Sequence, residues 1–146
     1  MNIRSRLDNV ELRWVKAAVA AASNTDSNSV RIDMSDYESA VFIVPITDSV
    51  ATGVATLKVE GNDADSDSGM TAVTGATATV TCAVNDDVNN TLLAVEVRNP
   101  GYQYLQGVIT SATANIAFGE MTVMLKPRNV PVTQGDTVSD SVTVSD

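Results

Sequence analysis

Residues 30–46, VRIDMSDYESAVFIVPI, decide the fold. Val30–Ile32 reads as a short strand leading into a polar turn, Asp33-Met34-Ser35-Asp36-Tyr37. The most apolar run of the chain follows, Ala40-Val41-Phe42-Ile43-Val44-Pro45-Ile46. A β-branched run bounded by turn residues predicts a strand buried on both faces. Pro45 has no N–H to give to a ladder, so it is expected to close that strand. Ala40–Val44 is therefore the expected central strand of an all-β, antiparallel, jelly-roll-like sandwich.

Working outward, Thr56–Glu60 alternates, with Leu57 and Val59 inward and Lys58 and Glu60 outward. Thr71–Thr74 reads as a short strand and Gly75 as punctuation. Ala76–Val84 alternates again, with Ala78, Val80, Cys82 and Val84 on one face and Thr77, Thr79 and Thr81 on the other. Thr91–Arg98, Tyr102–Thr110, Ala114–Phe118 and Met121–Lys126 complete a series of short strands with polar turns such as Asn85–Asn90 and Asn99-Pro100-Gly101. No charge occurs from Met70 to Asn85, which permits contact with other protein surfaces; the plainer reading is that threonine suits strands.

The ends read differently. Residues 1–29 are expected to be an N-terminal arm with a strand near 10–16. A helix over 5–21 is the alternative, favoured by the alanines of Lys16–Ala22, and Ser23–Ser29 reads as a loop. Residues 30–126 are the expected sandwich domain. Residues 127–146 are rich in Ser, Thr, Val and Asp without a long apolar face, and are expected to be an extended or disordered tail; if ordered, it needs a surface to lie against, for which another chain is the expectation.

Composition excludes several functions. The 146-residue length suits one domain. A single cysteine, Cys82, forbids an intrachain disulfide and is compatible with folding in a reducing cytoplasm; it is expected as a buried apolar residue. Neither a signal peptide nor a membrane-spanning stretch is visible, so no membrane partner is expected. The net charge of −9 is uneven. Residues 1–31 hold five basic groups against three acids, and the remainder four against fifteen. The acidic body should repel nucleic acid, while the basic arm suits an acidic protein surface or is ordinary surface charge. There is no histidine, the commonest general base and a common metal ligand.

The sharpest motif is Asp63-Ala64-Asp65-Ser66-Asp67-Ser68-Gly69. Carboxylates at alternate positions suit calcium, making Asp63, Asp65 and Asp67 the candidate ligands. Ser68 stands between the third acid and the glycine, and Thr74 stands where a bidentate glutamate would be. The competing reading is a solvated acidic hairpin. Asp86 and Asp87 are adjacent and suit a turn better than an acid–base pair. Asn89-Asn90-Thr91 matches a glycosylation sequon, which needs a secretory route. No hydrolase or transferase constellation assembles, so no enzymatic activity and no cofactor are expected.

Asp33-Met34-Ser35-Asp36-Tyr37 with Ala40–Ile46 resembles a family of small tailed-phage virion proteins, the capsid decoration or cement proteins. The resemblance extends through Ala55–Asp63, through Leu92–Val97 and Asn99–Tyr104 into Val108–Thr110, and through Lys126–Gln134. It is one of pattern and order over roughly residues 30–134. Where relatives continue after Tyr104 with a basic residue, this chain has Leu105 and Gln106. The resemblance implies a non-enzymatic module, synthesised in the host cytoplasm, that binds the major capsid protein on the outer surface of the head. It also implies a homo-oligomer, often a trimer near threefold axes. On this reading the expected contacts are Arg4, Arg6, Arg13, Trp14 and Lys16 in the arm and Lys126, Arg128, Val130 and Val132 at the start of the tail. Trp14 is otherwise a core residue of its own sandwich. Two alternatives stand beside this: a tail, collar or fibre-base component, and a carbohydrate-binding sandwich using Tyr102 and Tyr104 or the acidic loop.

Overall fold

The computed structural model describes residues 6–144. After a four-residue helix, α1 (Arg6–Asn9), eleven strands follow: β1 (Glu11–Lys16), β2 (Val19–Ala22), β3 (Thr25–Asn28), β4 (Ile32–Asp33), β5 (Tyr37–Ser49), β6 (Val54–Asn62), β7 (Thr71–Thr81), β8 (Thr91–Arg98), β9 (Tyr104–Ala112), β10 (Ile116–Phe118) and β11 (Met121–Pro127). Every pairing is antiparallel. One sheet runs β1-β11-β5-β10-β2, with β8 on the far side of β5. The other runs β3-β9-β6-β7, with β4 also on β9. The two sheets pack face to face as a sandwich, as the sequence predicts.

The core lies between the inner faces. Ala40, Phe42, Val44 and Ile46 of β5 are fully buried against Ala55, Leu57 and Val59 of β6, Leu105 and Ile109 of β9, and Met121, Val123 and Leu125 of β11. Gly107 of β9 lets the layers close, since a Cβ there would lie 2.7 Å from Met121 Sδ and 2.9 Å from Phe42 Cδ1.

The central strand differs from its expectation in two ways. Val41, Ile43 and Pro45 are only half-buried, so one face of β5 packs on the core and the other is left open. Pro45 does not close the strand, which continues to Ser49. Its carbonyl accepts from Gly119 N at 2.8 Å, so its missing N–H points to the gap where β10 ends and β11 begins. No ladder bond is lost there.

Residues 11–28 contribute strands to both sheets, so this part of the expected arm is built into the sandwich. Neither the helix over 5–21 nor the loop over Ser23–Ser29 forms as such. The alanines of β2 pair with β10, and the polar β3 pairs with β9, where Thr25 and Ser111 hydroxyls lie 2.9 Å apart. Long-range pairing overrides local propensity here. Thr71–Thr81 is one strand with an irregularity opposite Val59, and Gly75 takes a left-handed φ of +79°. Cys82 is buried as expected, but β7 ends at Thr81 and Val84 is exposed.

The tail finds a surface within its own chain. Gln134 accepts from Leu12 N at 2.8 Å and donates to the carbonyls of Leu7 and Val10. Thr137 Oγ1 accepts from Trp14 N, and Val132 N donates to Asp8 O. Residues 132–137 thus cover the outer edge of β1, whose amides would otherwise lack partners.

Candidate functional site

The open face of the β1–β11–β5–β8 layer follows from its registers. Leu12, Met124, Val41 and Glu96 lie side by side across the four strands; Trp14, Thr122, Ile43 and Ala94 form the next row; Pro45 and Leu92 the one beyond. Strand alternation turns all of these away from the core. Trp14 is 44 % exposed and Leu92 65 %. At one end the face is bordered by charge: Lys126 pairs with Glu38 at 3.2 Å, and Arg98 with Glu96 at 3.0 Å. A shallow groove of about 260 Å³ beside that border is lined by Val10, Val41 and Met124 together with Asn9, Ser39, Glu96 and Lys126. The centre of the face carries no charge, on a chain of net charge −9.

The expected contact residues divide around this face. Trp14 lies on it and Lys126 at its border. Arg6 and Val130 are exposed and Lys16 is half-exposed. Arg128 is anchored on the turn before β5, its N–H donating to Asp36 O and its guanidinium to Ser35 O. Val132 is tied to Asp8. Arg4 lies outside the described residues. Arg13 is turned towards the inner side of its strand and is partly buried. Its Nε bonds Glu11 at 2.7 Å, its Nη2 bonds the Tyr37 hydroxyl at 2.7 Å, and its guanidinium stands 5.3 Å from the Tyr37 ring centroid. Tyr37 in turn donates to Glu11 Oε2. Burial works against the Arg13 charge, but the bonds to Glu11 outweigh it and hold its pKa above the usual arginine value. Burial, then the bond to Glu11, pushes the Tyr37 phenol up to about 12. This cluster closes one end of the sandwich rather than forming an acid–base site.

Val41, Ile43, Met124 and Leu92 are not among the expected contacts, yet they lie on this face. The signal was present: an apolar run too long for one buried face implies either cover on both faces or an open apolar face.

The acidic loop does not gather its carboxylates. Arg31 bonds Asp65 at 2.5 Å and Asp67 at 2.6 Å, while Asp63 accepts from Gln103 N. The Gln106 amide and then Arg31 hold the Asp67 carboxyl below the usual carboxylate range. Among the described residues, no group of three or more Cys, Asp or Glu is placed to hold a metal ion. Tyr102 and Tyr104 do not form an open platform either. Tyr102 precedes β9 and its ring packs on Gly61, where an added Cβ would lie 2.3 Å from the ring. Among the described residues no helix is long and apolar enough to cross a membrane.

No protein-family model and no curated protein matches the sequence. The PBSX exported protein XepA superposes with a TM-score of 0.54 at 13 % identity, over 99 % of this chain and 46 % of that one. The chain therefore spans about half the length of that protein. The CBM22-1–GH10 modules of Clostridium thermocellum xylanase 10B, solved with xylohexaose, give 0.48 at 16 % identity over 86 % of this chain and 26 % of that one. A subunit of the disulfide-linked pili of Bacillus endospore appendages gives 0.41 at 15 % identity over 87 % and 99 %. At 13 % identity the likeness to XepA is one of fold alone.

Proposed function

We propose that this chain is a structural virion protein, a decoration or cement protein that binds the outer surface of an assembled tailed-phage head. The major capsid protein is its partner, and the open face of the β1–β11–β5–β8 layer is the docking surface. One observation carries the reading: exposed Trp14, Met124 and Leu92 stand together with half-buried Leu12, Val41 and Ile43 on one uncharged patch of an otherwise acidic chain. An open apolar patch with a charged rim is how a protein-binding surface is built, and a central tryptophan suits an anchor. The sandwich shared with XepA is consistent with this at the level of fold. The sequence resemblance supplies the virion context.

The mechanism is mechanical. A protein that binds assembled subunits better than dissociated ones stabilises the assembly by linkage. Contacts to more than one subunit, from this face and from the exposed Arg6 and Val130, add avidity without a strong single contact. The test is co-sedimentation of the purified chain with assembled capsids lacking it and with dissociated capsid subunits. Binding to capsids that is lost in Ile43→Lys, with melting temperature preserved, is the expected result. Equal binding of the wild type and Ile43→Lys would remove this face from the account.

A further inference from the structure

Sheet edges invite pairing with another chain, and among the described residues all but one of them are blunted. The β1 edge is covered by Gln134 and Thr137 of the tail. β2, β3 and β4 are two to four residues long. β8 carries Glu96 and Arg98. The remaining edge is β7, eleven residues long, mostly exposed, without charge or proline, and paired only with β6. The irregularity at Gly75 sets residues 73–76 aside and leaves Thr77–Thr81 in unbroken register with Lys58–Val54.

The direction of its backbone groups can be fixed. Cys82 N donates to Gly53 O at 2.8 Å, so Cys82 and, by alternation, Val80 and Ala78 point their N–H and C=O groups towards β6. Thr77, Thr79 and Thr81 therefore point theirs to the free edge. Their side chains lie on the outer face of the sheet, where Thr79 stands beside Thr56, their hydroxyls 3.0 Å apart, and Thr56 beside Thr110.

We propose that this edge is a self-association site: a second copy adds its own β7 antiparallel, about a twofold axis through Thr79. Thr79 then exchanges both backbone bonds with the partner's Thr79, and Thr77 pairs with the partner's Thr81 and the reverse. Every outward N–H and C=O of the three residues is satisfied. The threonine row Thr110–Thr56–Thr79 continues across the axis, and threonine pairs directly opposite one another are favourable. Self-complementarity selects the occupant: an identical edge returns an N–H to each outward C=O and a threonine to each threonine, and while two copies of net charge −9 repel overall, no charge from Met70 to Asn85 adds repulsion at the edge itself. Such an isologous interface closes as a dimer.

The test is the mass of the full chain by sedimentation equilibrium from micromolar to near-millimolar concentration. The account expects a concentration-dependent rise from 15.3 kDa to twice that mass. Thr79→Pro removes an N–H that β6 does not use, and Thr79→Lys places a charge on the axis. Each is expected to raise the dimer dissociation constant by roughly a hundredfold with unchanged circular dichroism. Leu92→Lys, on the docking face of the other sheet, is expected to leave dimerisation unchanged. A mass of 15.3 kDa at all concentrations, a trimer mass, or a dimer equally stable in Thr79→Lys overturns the proposal.

Discussion

Replacing Tyr37 by Phe removes one oxygen from the polar cluster at the end of the sandwich. In the wild type that hydroxyl donates to Glu11 Oε2 and accepts from Arg13 at 2.7 Å. Glu11 is 5 % exposed, so water does not readily replace the lost donor. Arg13 still holds Oε1 at 2.7 Å, so a single carboxylate oxygen is orphaned and the charge stays paired. Hydrogen bonds to charged groups contribute about 1.5–3 kcal/mol, and the variant should lose roughly 2–3 kcal/mol at neutral pH. For a chain of this length that is a fall of about 5–10 °C in melting temperature. A pH signature separates this from a packing effect. The folded phenol keeps its proton up to about 12, while the unfolded one releases it near 10.0. Between those values the native state binds more protons than the unfolded state, so wild-type stability must fall as pH rises. The contribution is complete below pH 10 and lost through about pH 12, on the order of 2 kcal/mol. Tyr37→Phe lacks this group, so the gap between the two proteins should narrow across that window. Urea unfolding from pH 7 to 12 measures it. A neutral-pH difference under about 0.5 kcal/mol, or an alkaline gap that does not narrow, would refute the reasoning.

Gly107→Ala should destabilise by about 1–3 kcal/mol in urea unfolding, because its Cβ meets the buried Met121 and Phe42; a neutral result would mean the layers are looser than described. Truncation after Arg128 removes Gln134 and Thr137, and should speed hydrogen exchange at the Leu12 and Trp14 amides at least about tenfold while the centre of β5 stays protected. Unchanged exchange at those amides would show that the tail does not cover β1. Calcium added to saturation should leave the melting temperature unmoved, since Asp65 and Asp67 are held by Arg31 and Asp63 by Gln103; a clear rise would restore the loop as a calcium site.

Period-2 alternation made most of the sandwich readable. β6, β8 and β11 follow it residue by residue, because one face of each meets the core and the other meets solvent. What the sequence hid depended on partners far along the chain. β3 is a strand because β9 lies beside it, and Pro45 sits inside a strand because β10 and β11 leave a gap opposite it. The ladder on β5 decides that, and no local pattern reports it. Trp14 and Lys126 are legible as surface candidates, whereas the bonding of Arg13 is not, because a basic residue on an alternating strand gives no sign that Glu11 and Tyr37 wait beside it. The uncovered face of β5 was misread for a related reason. An apolar run reports that something must cover it and does not say whether the cover belongs to the same chain.

What covers that face is the central question. The most direct measurement is a structure of purified virions from the genome that encodes this chain, with its copies counted against the major capsid protein. The account predicts many copies across the outer shell, each with Trp14, Ile43, Met124 and Leu92 buried against capsid subunits. Virions without the chain, a few copies confined to the tail or collar, or a shell-bound chain whose β1–β11–β5–β8 face is open to solvent would contradict it.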